Sequence, residues 1–236
     1  MKKLIKPQRL NKGDMVATVS LSNGWAGDKD IRWKYDLGVT CLQEIGLNVV
    51  AAPNSMKGSE YLTNNSQARA DDIMWAFSNS QVKAIIANVG GNDSIKVIPF
   101  IDTKLIKRNP KIFIGYSDVM NMHLLCYKCG LSSFYGDNLL YPIAEAQGWH
   151  SYSKKWFEKA LFDSSVIDKI KPSQEWTFEP TDYTNPDYVR NYYPNTEYEV
   201  IQGCGKVNGR LFGGHTGLVE LDNTVIQFSK AGLCDE

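Results

Sequence analysis

The chain of 236 residues is long enough for one large domain or two small ones. Its 43% hydrophobic and 22% charged residues are ordinary for a globular protein, and 26 Lys and Arg residues balance 26 Asp and Glu residues. This neutral balance gives no electrostatic reason to expect nucleic acid or an anionic membrane as a partner.

The N-terminal stretch MKKLIKPQRLNKGD is basic, but it lacks the apolar core of about 7–15 residues that a signal peptide needs. No run approaches the ~20 apolar residues of a membrane helix. The cysteines are scattered and odd in number, which is typical of reduced thiols: Cys41, Cys126, Cys129, Cys204 and Cys234. We therefore expect a soluble, cytoplasmic protein.

Apolar runs alternate with segments of helical period along the first 160 residues. The predicted strands are Met15–Ser22, Leu47–Pro53, Val82–Gly91 and Lys111–Gly115. The predicted helices are Ile31–Ile45, Asn65–Asn79 and Asp118–Cys129, with short helical pieces at Ser94–Phe100 and Thr103–Lys107. Such alternation predicts parallel strands joined by helical crossovers, so residues 1–160 are expected to form an α/β domain.

The composition changes after about Ala160. The stretch Trp176–Tyr198 holds many aromatic residues and prolines without a long apolar period, so residues 161–200 are predicted to be a linker or a cover over a pocket. Glycine turns joining short apolar runs in Gly205–Leu221 predict strands, and residues 201–236 are expected to begin a β-rich C-terminal domain.

Polar and glycine-rich segments follow three of the predicted strands. They are Ser22-Asn23-Gly24, Asn88-Val89-Gly90-Gly91-Asn92-Asp93 and Gly115-Tyr116-Ser117-Asp118. Ligands of parallel sheets collect at the carboxyl ends of the strands, so these segments are expected to meet. The corner at Ser117 suits a nucleophile, although a serine N-cap of the following helix is an equally ordinary interpretation.

The Gly90-Gly91 pair predicts a tight turn with uncovered backbone amides. Such amides, together with that of Asp118, suit a developing oxyanion; a simple turn is the alternative. Asn92 would support this turn, and Ser22, Asn138 and Trp176 are candidate substrate contacts.

A nucleophilic serine needs a base, and the chain has three histidines. His123 lies six residues beyond Ser117 in the predicted helix, so it is expected to point away, and His150 lies in a polar stretch. His215, in the glycine turn GGHTG, is the remaining internal candidate. The sequence shows no HExxH spacing and no phosphate-binding glycine loop, so we expect neither a metal nor a cofactor.

Two further spacings have ordinary structural interpretations. Cys126 and Cys129 form a CxxC without the second ligand pair that zinc requires, so they are expected to pack as small apolar residues on a helix. Arg69 and Asp72 lie three residues apart on a predicted helix, a spacing typical of a surface ion pair.

Four stretches together resemble the LD-carboxypeptidase family of serine peptidases, which trim muropeptide tails, and its relatives that confer immunity to the peptide-nucleotide antibiotic microcin C. The stretches, in chain order, are KGDMVATVSLSN, YLTNNSQARADDIMWAFSNSQVKAIIANVGGNDS, IKRNPKIFIGYSDVMNMHLLCYKCGLSSFYGDN and GKVNGRLFGGHTGLVEL. The Asn-Asp after the Gly-Gly and the aromatic insertion resemble the microcin-immunity branch more closely.

The resemblance implies a flavodoxin-like N-terminal domain, a linker and a β-rich C-terminal domain, often as a homodimer. It also implies that Ser117 is the nucleophile and that the amides of Gly91 and Asp118 form the oxyanion hole, with Gly90 shaping the turn. The implied reaction is metal-independent hydrolysis of an L,D amide bond in a muropeptide or a peptidyl-nucleotide through an acyl-enzyme.

The family's catalytic glutamate and histidine motifs are not found before Glu236, and neither Glu220 nor His215 lies in their context. The sequence alone therefore leaves three classes open. The first is a serine peptidase whose catalysis is impaired, and the second is a non-catalytic peptide-binding or immunity module. The third, a glutamine-amidotransferase-like domain, is disfavoured because Cys126 and Cys129 lie within a predicted helix.

Overall fold

The computed structural model describes residues 4–167, 169–206, 208–209 and 214. Its strands are β1 (Met15–Val19), β2 (Asn48–Ala51), β3 (Val82–Ala87), β4 (Ile112–Gly115), β5 (Phe134–Tyr135), β6 (Glu175–Trp176) and β7 (Tyr193–Pro194). Its α-helices are α1 (Arg32–Glu44), α2 (Gly58–Asn64), α3 (Ser66–Ser78), α4 (Thr103–Arg108), α5 (Met120–Lys128) and α6 (Ser151–Leu161). Short 3-10 helices span Trp25–Gly27, Ser94–Phe100 and Ser117–Val119.

Five of the described strands form one parallel sheet in the order β2-β1-β3-β4-β5. This is the order of a flavodoxin-like doubly wound domain, in which the direction of strand addition reverses between β1 and β3 while all strands stay parallel. The predicted α/β fold with a parallel sheet and flanking helices is therefore confirmed.

Alternating strand residues build a core on each face of the sheet. Ala17, Ile85 and Phe113 pack with α3, α4 and α5 on one face. Their neighbours Val16 and Ile86 pack with α1 and α6 on the other face. Successive side chains of a strand point to opposite faces, so a sheet covered by helices on both sides requires these continuous apolar runs.

The observed elements differ from the predicted ones mainly at the strand ends. Each predicted strand extends past its observed end into the loop at the carboxyl edge, except at β4, which ends at Gly115 as predicted. The sequence patterns also missed β5, which has two residues, and the helices α2 and α6.

The aromatic segment, residues 176–198, packs against the α/β domain as well as forming the small antiparallel hairpin of β6 and β7. Tyr183 lies edge-on to Trp25 with ring centroids 4.9 Å apart, and its carbonyl accepts a hydrogen bond from the indole of Trp33 at 3.1 Å. The predicted boundaries at residues 160 and 200 stay predictions. The strands expected within Gly205–Leu221, and His215, fall almost entirely outside the described residues.

Candidate active site

Ser117 lies at a strained corner directly after β4. Its φ of 68° is the single positive value among the described residues other than glycine. A non-glycine residue adopts this left-handed conformation at a cost of roughly 1–3 kcal/mol, and such strain concentrates at functional sites. A serine held this way on a strand-to-helix turn has the local geometry of a nucleophile elbow.

The alternative interpretation, that Ser117 caps the following helix, is wrong. The N-cap of α5 is Val119, and Ser117 lies inside the 3-10 turn that precedes that helix. The residue flanking that turn is Tyr116, and it makes no capping hydrogen bond through its side chain. The hydroxyl is therefore not used to satisfy the start of the helix.

Two neighbouring side chains hold the backbone of this corner. The amide of Ser117 donates to the Tyr135 hydroxyl at 2.9 Å. Asn138, which is buried, accepts from the amide of Tyr116 at 3.1 Å and donates to its carbonyl at 3.4 Å. Asn138 thus fixes the residue before Ser117 from inside the fold, and its contact with a substrate stays a prediction.

The Gly-Gly loop after β3 lies against Ser117. A β-carbon built on Gly90 would lie 2.9 Å from Ser117 Cβ, 3.1 Å from Ser117 Oγ and 3.5 Å from the Asp118 amide nitrogen. Gly91 has φ +155°, a conformation that side-chain-bearing residues rarely adopt, and it is exposed. The structure therefore brings together the two segments that the sequence predicted to meet, with Gly90 at the contact.

Asp118 and Ser22 both hold the residues that follow Gly91. The Asp118 carboxylate accepts the Ser94 amide at 2.8 Å, so the loop is joined to the Ser117 corner. Ser22 Oγ accepts the amides of Asn92 and Asp93 at 3.0 and 3.3 Å. Ser22 is buried, so its hydroxyl supports the loop, and its contact with a substrate stays a prediction.

The predicted surface ion pair of Arg69 with Asp72 is wrong. Both side chains are buried; Asp72 accepts from Asn54, while Arg69 pairs with Asp93 at 2.7 Å. Helical spacing identifies neighbours on one helix but not a partner on a distant loop. The signal that was missed is that Arg69 lies four residues before Ile73, on the face of α3 that enters the core.

The two histidines of the described region have partners other than Ser117. His123 Nε2 must donate to the carbonyl of Gly115 at 2.9 Å, because a carbonyl only accepts, and its Nδ1 therefore accepts from the Ser133 hydroxyl at 2.8 Å. Burial lowers the pKa of His123 to about 4, so the ring is neutral. His150 pairs with Glu175 at 3.1 Å.

Among the described residues, no side chain forms a hydrogen bond with Ser117 Oγ, and no group of three or more His, Cys, Asp or Glu residues could hold a metal ion. Cys126 and Cys129 are buried against the sheet, and burial raises the pKa of the Cys126 thiol. This agrees with their expected role as packing residues.

The aromatic segment forms one wall of an open groove of about 660 Å³. Its walls are Trp25 and Ile31 on one side and residues 180–184 with Tyr188 on the other. Trp176 lies outside this wall on β6, is 49% exposed and packs against Phe178 with ring centroids 5.9 Å apart. Its proposed contact with a substrate is not tested by these positions.

The sequence of the segments that form this edge of the sheet matches a known protein family. The model of the LD-carboxypeptidase N-terminal domain matches residues 16–136, which run from β1 past Ser117 to the end of β5. The chain belongs to the LD-carboxypeptidase family. In the described part of the chain, none of this family member's helices has the length and hydropathy that crossing a bilayer requires.

Two curated members of the family show how far the likeness extends. The chain is 30% identical to the probable murein peptide carboxypeptidase of Bacillus subtilis, over 91% of this chain and 58% of that protein. It is also 30% identical to the microcin C7 self-immunity protein MccF of Escherichia coli, over 75% of this chain and 52% of that protein. The chain thus spans about half to three-fifths of the length of these relatives.

A solved structure shares the fold. The MccF-like protein of Streptococcus pneumoniae, in complex with AMP, superimposes with a TM-score of 0.71 at 31% identity. The match covers 78% of this chain and 55% of that one.

Proposed function

We propose that this member of the LD-carboxypeptidase family is a serine-type hydrolase that cleaves an L,D amide bond through an acyl-enzyme on Ser117. The observation that carries the proposal is the left-handed backbone of Ser117, held against the Gly90-Gly91 loop. The serine does not cap α5, so no helix-capping hydrogen bond offsets the strain at this strand-to-helix corner.

In the proposed reaction, Ser117 Oγ attacks the amide carbonyl carbon, and the carbonyl oxygen becomes an oxyanion. The backbone amides of Gly91 and Asp118 donate to it, and Gly90, without a side chain, leaves room for it. When the intermediate collapses, the C–N bond breaks and the serine proton leaves with the amine. Water then hydrolyses the ester, which restores the hydroxyl and releases the acid.

The proton needs an acceptor, and in the described residues none is hydrogen-bonded to Ser117 Oγ. His215 is the candidate within this sequence, and it lies outside the described residues. Removing the base of a serine triad lowers the rate by several orders of magnitude. We therefore expect slow turnover unless His215 or another group takes this role.

The names of two relatives provide the substrate classes that we propose to test. One is called a murein peptide carboxypeptidase and another an immunity protein to microcin C7, so a muropeptide and a peptidyl-nucleotide are the two classes to test. The aromatic rings in the open groove of about 660 Å³ suit a flat ring as well as apolar peptide side chains. Neither Ser117 nor the Gly90-Gly91 loop lines this groove, so it would hold a part of the substrate away from the bond that is cleaved. We expect no metal or organic cofactor to take part.

Fluorophosphonate labelling tests the nucleophile directly. The probe should form one adduct, located on Ser117 by peptide mass spectrometry and absent in Ser117→Ala. Incubation with an L,D-linked tetrapeptide and with a peptidyl-adenylate analogue would then identify the substrate class from the product released. An unlabelled Ser117 in the folded protein would overturn the proposal.

A peptide-binding or immunity module without catalysis is the second candidate. It is favoured by the lack of a base hydrogen-bonded to Ser117 Oγ within the described residues. This candidate predicts saturable binding of the same peptides by calorimetry, without adduct or product. The labelling experiment therefore separates the two functions.

We also propose that the protein works as a cytoplasmic homodimer. Buried thiols at Cys41, Cys126 and Cys129 suit a reducing compartment. Light scattering coupled to gel filtration should give twice the mass of 26.6 kDa. A monomer at micromolar concentration would contradict this assignment.

A further inference from the structure

Arg69 is a fully buried cation beside the candidate oxyanion loop. It lies on α3, and its guanidinium grips the Asp93 carboxylate with two hydrogen bonds, Nη1 to Oδ1 at 2.7 Å and Nη2 to Oδ2 at 3.2 Å. Burying a charge is costly unless it is paired and hydrogen-bonded. Its partners, which also include the Ser66 hydroxyl at 3.0 Å from Nη2, therefore indicate what the charge is used for.

The same guanidinium joins the loops at the carboxyl ends of two strands, β1 and β3. Nη1 also donates to the carbonyls of Leu21 and Ser22, the residues after β1, at 3.1 and 3.2 Å. Asp93 belongs to the loop after β3. Arg69 consequently spans the point between β1 and β3 where the strand order reverses and where ligands of such sheets bind.

Ser22 transmits this anchorage to the loop backbone. Its hydroxyl accepts the amides of Asn92 and Asp93 and donates to Asp93 Oδ1 at 3.3 Å. On the other side of Gly91, the Gly90 carbonyl accepts the amide of Asn23 at 3.2 Å. Gly91 thus lies between Gly90 and Asn92, and both neighbours are hydrogen-bonded to the segment after β1 that Arg69 holds.

We propose that Arg69 is a positioning residue that, through Asp93 and Ser22, fixes the orientation of the Gly91 amide toward the oxyanion formed at Ser117. The inference rests on the proposed function, because it assigns a role within that site. A glycine pair has the greatest backbone freedom in the chain, so its amide is preorganised only if something outside the loop holds it. The planar, two-pronged guanidinium matches a carboxylate in a way that an ammonium cannot.

Two variants and one matched control test this role. Arg69→Lys keeps the charge but loses the planar pair of donors. Asp93→Asn keeps the shape, loses the negative charge and leaves one acceptor in place of two. Lys96 contacts the same carboxylate from solvent at 3.5 Å with a side chain that is 60% exposed, so Lys96→Ala serves as the control. All three, and Arg69→Ala for a chemical-rescue experiment, are made in the chain of 236 residues, and circular dichroism confirms their folding.

The first readout is saturation labelling by a fluorophosphonate, whose phosphoryl oxygen occupies the oxyanion position. Loss of an oxyanion donor lowers catalytic rates by about 100- to 1000-fold, so we expect kinact to fall by ~10- to 100-fold in the first two variants. KI should stay within about twofold, and Lys96→Ala should match the wild type. In Arg69→Ala, millimolar guanidinium should restore part of kinact, which a loss of global stability would not allow.

The second readout, amide hydrogen exchange at Asn92 and Asp93, does not depend on catalysis. Exchange should accelerate more than about tenfold in Arg69→Lys and Asp93→Asn, while amides of β3 exchange as in the wild type. Should the arginine variants not fold, Asp93→Asn decides alone. Wild-type kinact and exchange in a folded Asp93→Asn or Arg69→Lys would overturn the inference, whereas an unlabelled wild type with accelerated exchange in the variants would overturn only the proposed function.

Discussion

Ser94 donates two hydrogen bonds to Asp118. The amide of Ser94 donates to the Asp118 carboxylate at 2.8 Å, and its hydroxyl donates to the Asp118 carbonyl at 2.6 Å. Both residues are buried. The side chain next to the candidate nucleophile thus ties the end of the Gly-Gly loop to the Ser117 corner, one residue beyond the Asp93 that Arg69 holds.

Removing this carboxylate should destabilise the protein. In Asp118→Ala the buried Ser94 amide has no acceptor, so we expect the free energy of unfolding to fall by about 1–3 kcal/mol. Asp118→Asn retains an oxygen that can accept, and it should lose less than half as much. Urea unfolding followed by tryptophan fluorescence measures both. Equal losses in the two variants would show that the negative charge of the carboxylate matters here and that a neutral acceptor of the same volume does not replace it.

A side chain at position 90 should disturb Ser117 itself. The new β-carbon of Gly90→Ala would lie 2.9 Å from Ser117 Cβ, too close for two such atoms, so the serine or the loop must move. Displacement of a reacting group by about 1 Å can cost roughly 100-fold in rate. We expect fluorophosphonate labelling to slow by at least about tenfold.

Gly209→Ala is the control for that substitution, because no atom lies within 4 Å of its added β-carbon. It should be labelled at the wild-type rate. Labelling of Gly90→Ala at that same rate would contradict the close contact between the loop and the serine.

The sequence located the site better than it located the side chains that support it. Hydrophobic patterns placed α1 and α3 within about one residue at each end, and they placed Ser117 and Gly90 on loops after adjacent strands. They did so because strand and helix periods are local properties. The bond from Arg69 to Asp93 crosses 24 residues, and only the packing of α3 beside the sheet creates it.

The strand ends were misjudged for a related reason. Asn88 lies within the predicted strand Val82–Gly91, just after β3 ends. Its side-chain amide donates to Ser20 Oγ, and its backbone amide donates to the carbonyl of Val19. The chain can thus continue in the direction of a strand, held by the hydrogen bonds of a loop, after the regular hydrogen bonds between strands have ended. No apolar period distinguishes the two cases, because both segments are buried.

The aromatic segment should detach when its buried ion pair is broken. Arg190 pairs with Glu145 at 2.7 Å, with both side chains 4% exposed, and it also donates to Tyr141 and to the carbonyl of Glu179. Arg190→Met removes the hydrogen-bonded partner of the buried Glu145 carboxylate and leaves the buried Lys34 as its cationic neighbour, which should cost about 3 kcal/mol. Limited proteolysis should then cut between residues 179 and 192.

A double variant separates the charge from the packing. Arg190→Met combined with Glu145→Met removes both charges, so we expect it to lose less stability than the sum of the single variants. Strict additivity in urea unfolding would argue against a coupled pair. Unchanged proteolysis of Arg190→Met would argue against its role as the anchor of the segment.

The buried His123 should make the fold sensitive to mild acid. Its pKa is lowered by burial to about 4 in the folded protein, against an ordinary value of 6.5. Below about pH 6.5 the unfolded chain therefore binds a proton that the folded protein does not, so stability present at neutral pH is lost as the pH falls and levels off below about pH 4. At about 1.4 kcal/mol per pKa unit, the loss should approach ~3 kcal/mol.

His123→Gln isolates this effect, because its amide can donate to the Gly115 carbonyl and accept from Ser133 but does not titrate. Asp72 and Asp137, whose pKa burial raises to about 6, contribute with the opposite sign in both proteins, so they cancel in the difference. Urea unfolding between pH 7.5 and 4 should show the wild type losing stability relative to the variant as the pH falls. Parallel curves for the two proteins would mean that His123 has the same pKa in the folded and the unfolded state, and the lowering of its pKa by burial would then be wrong.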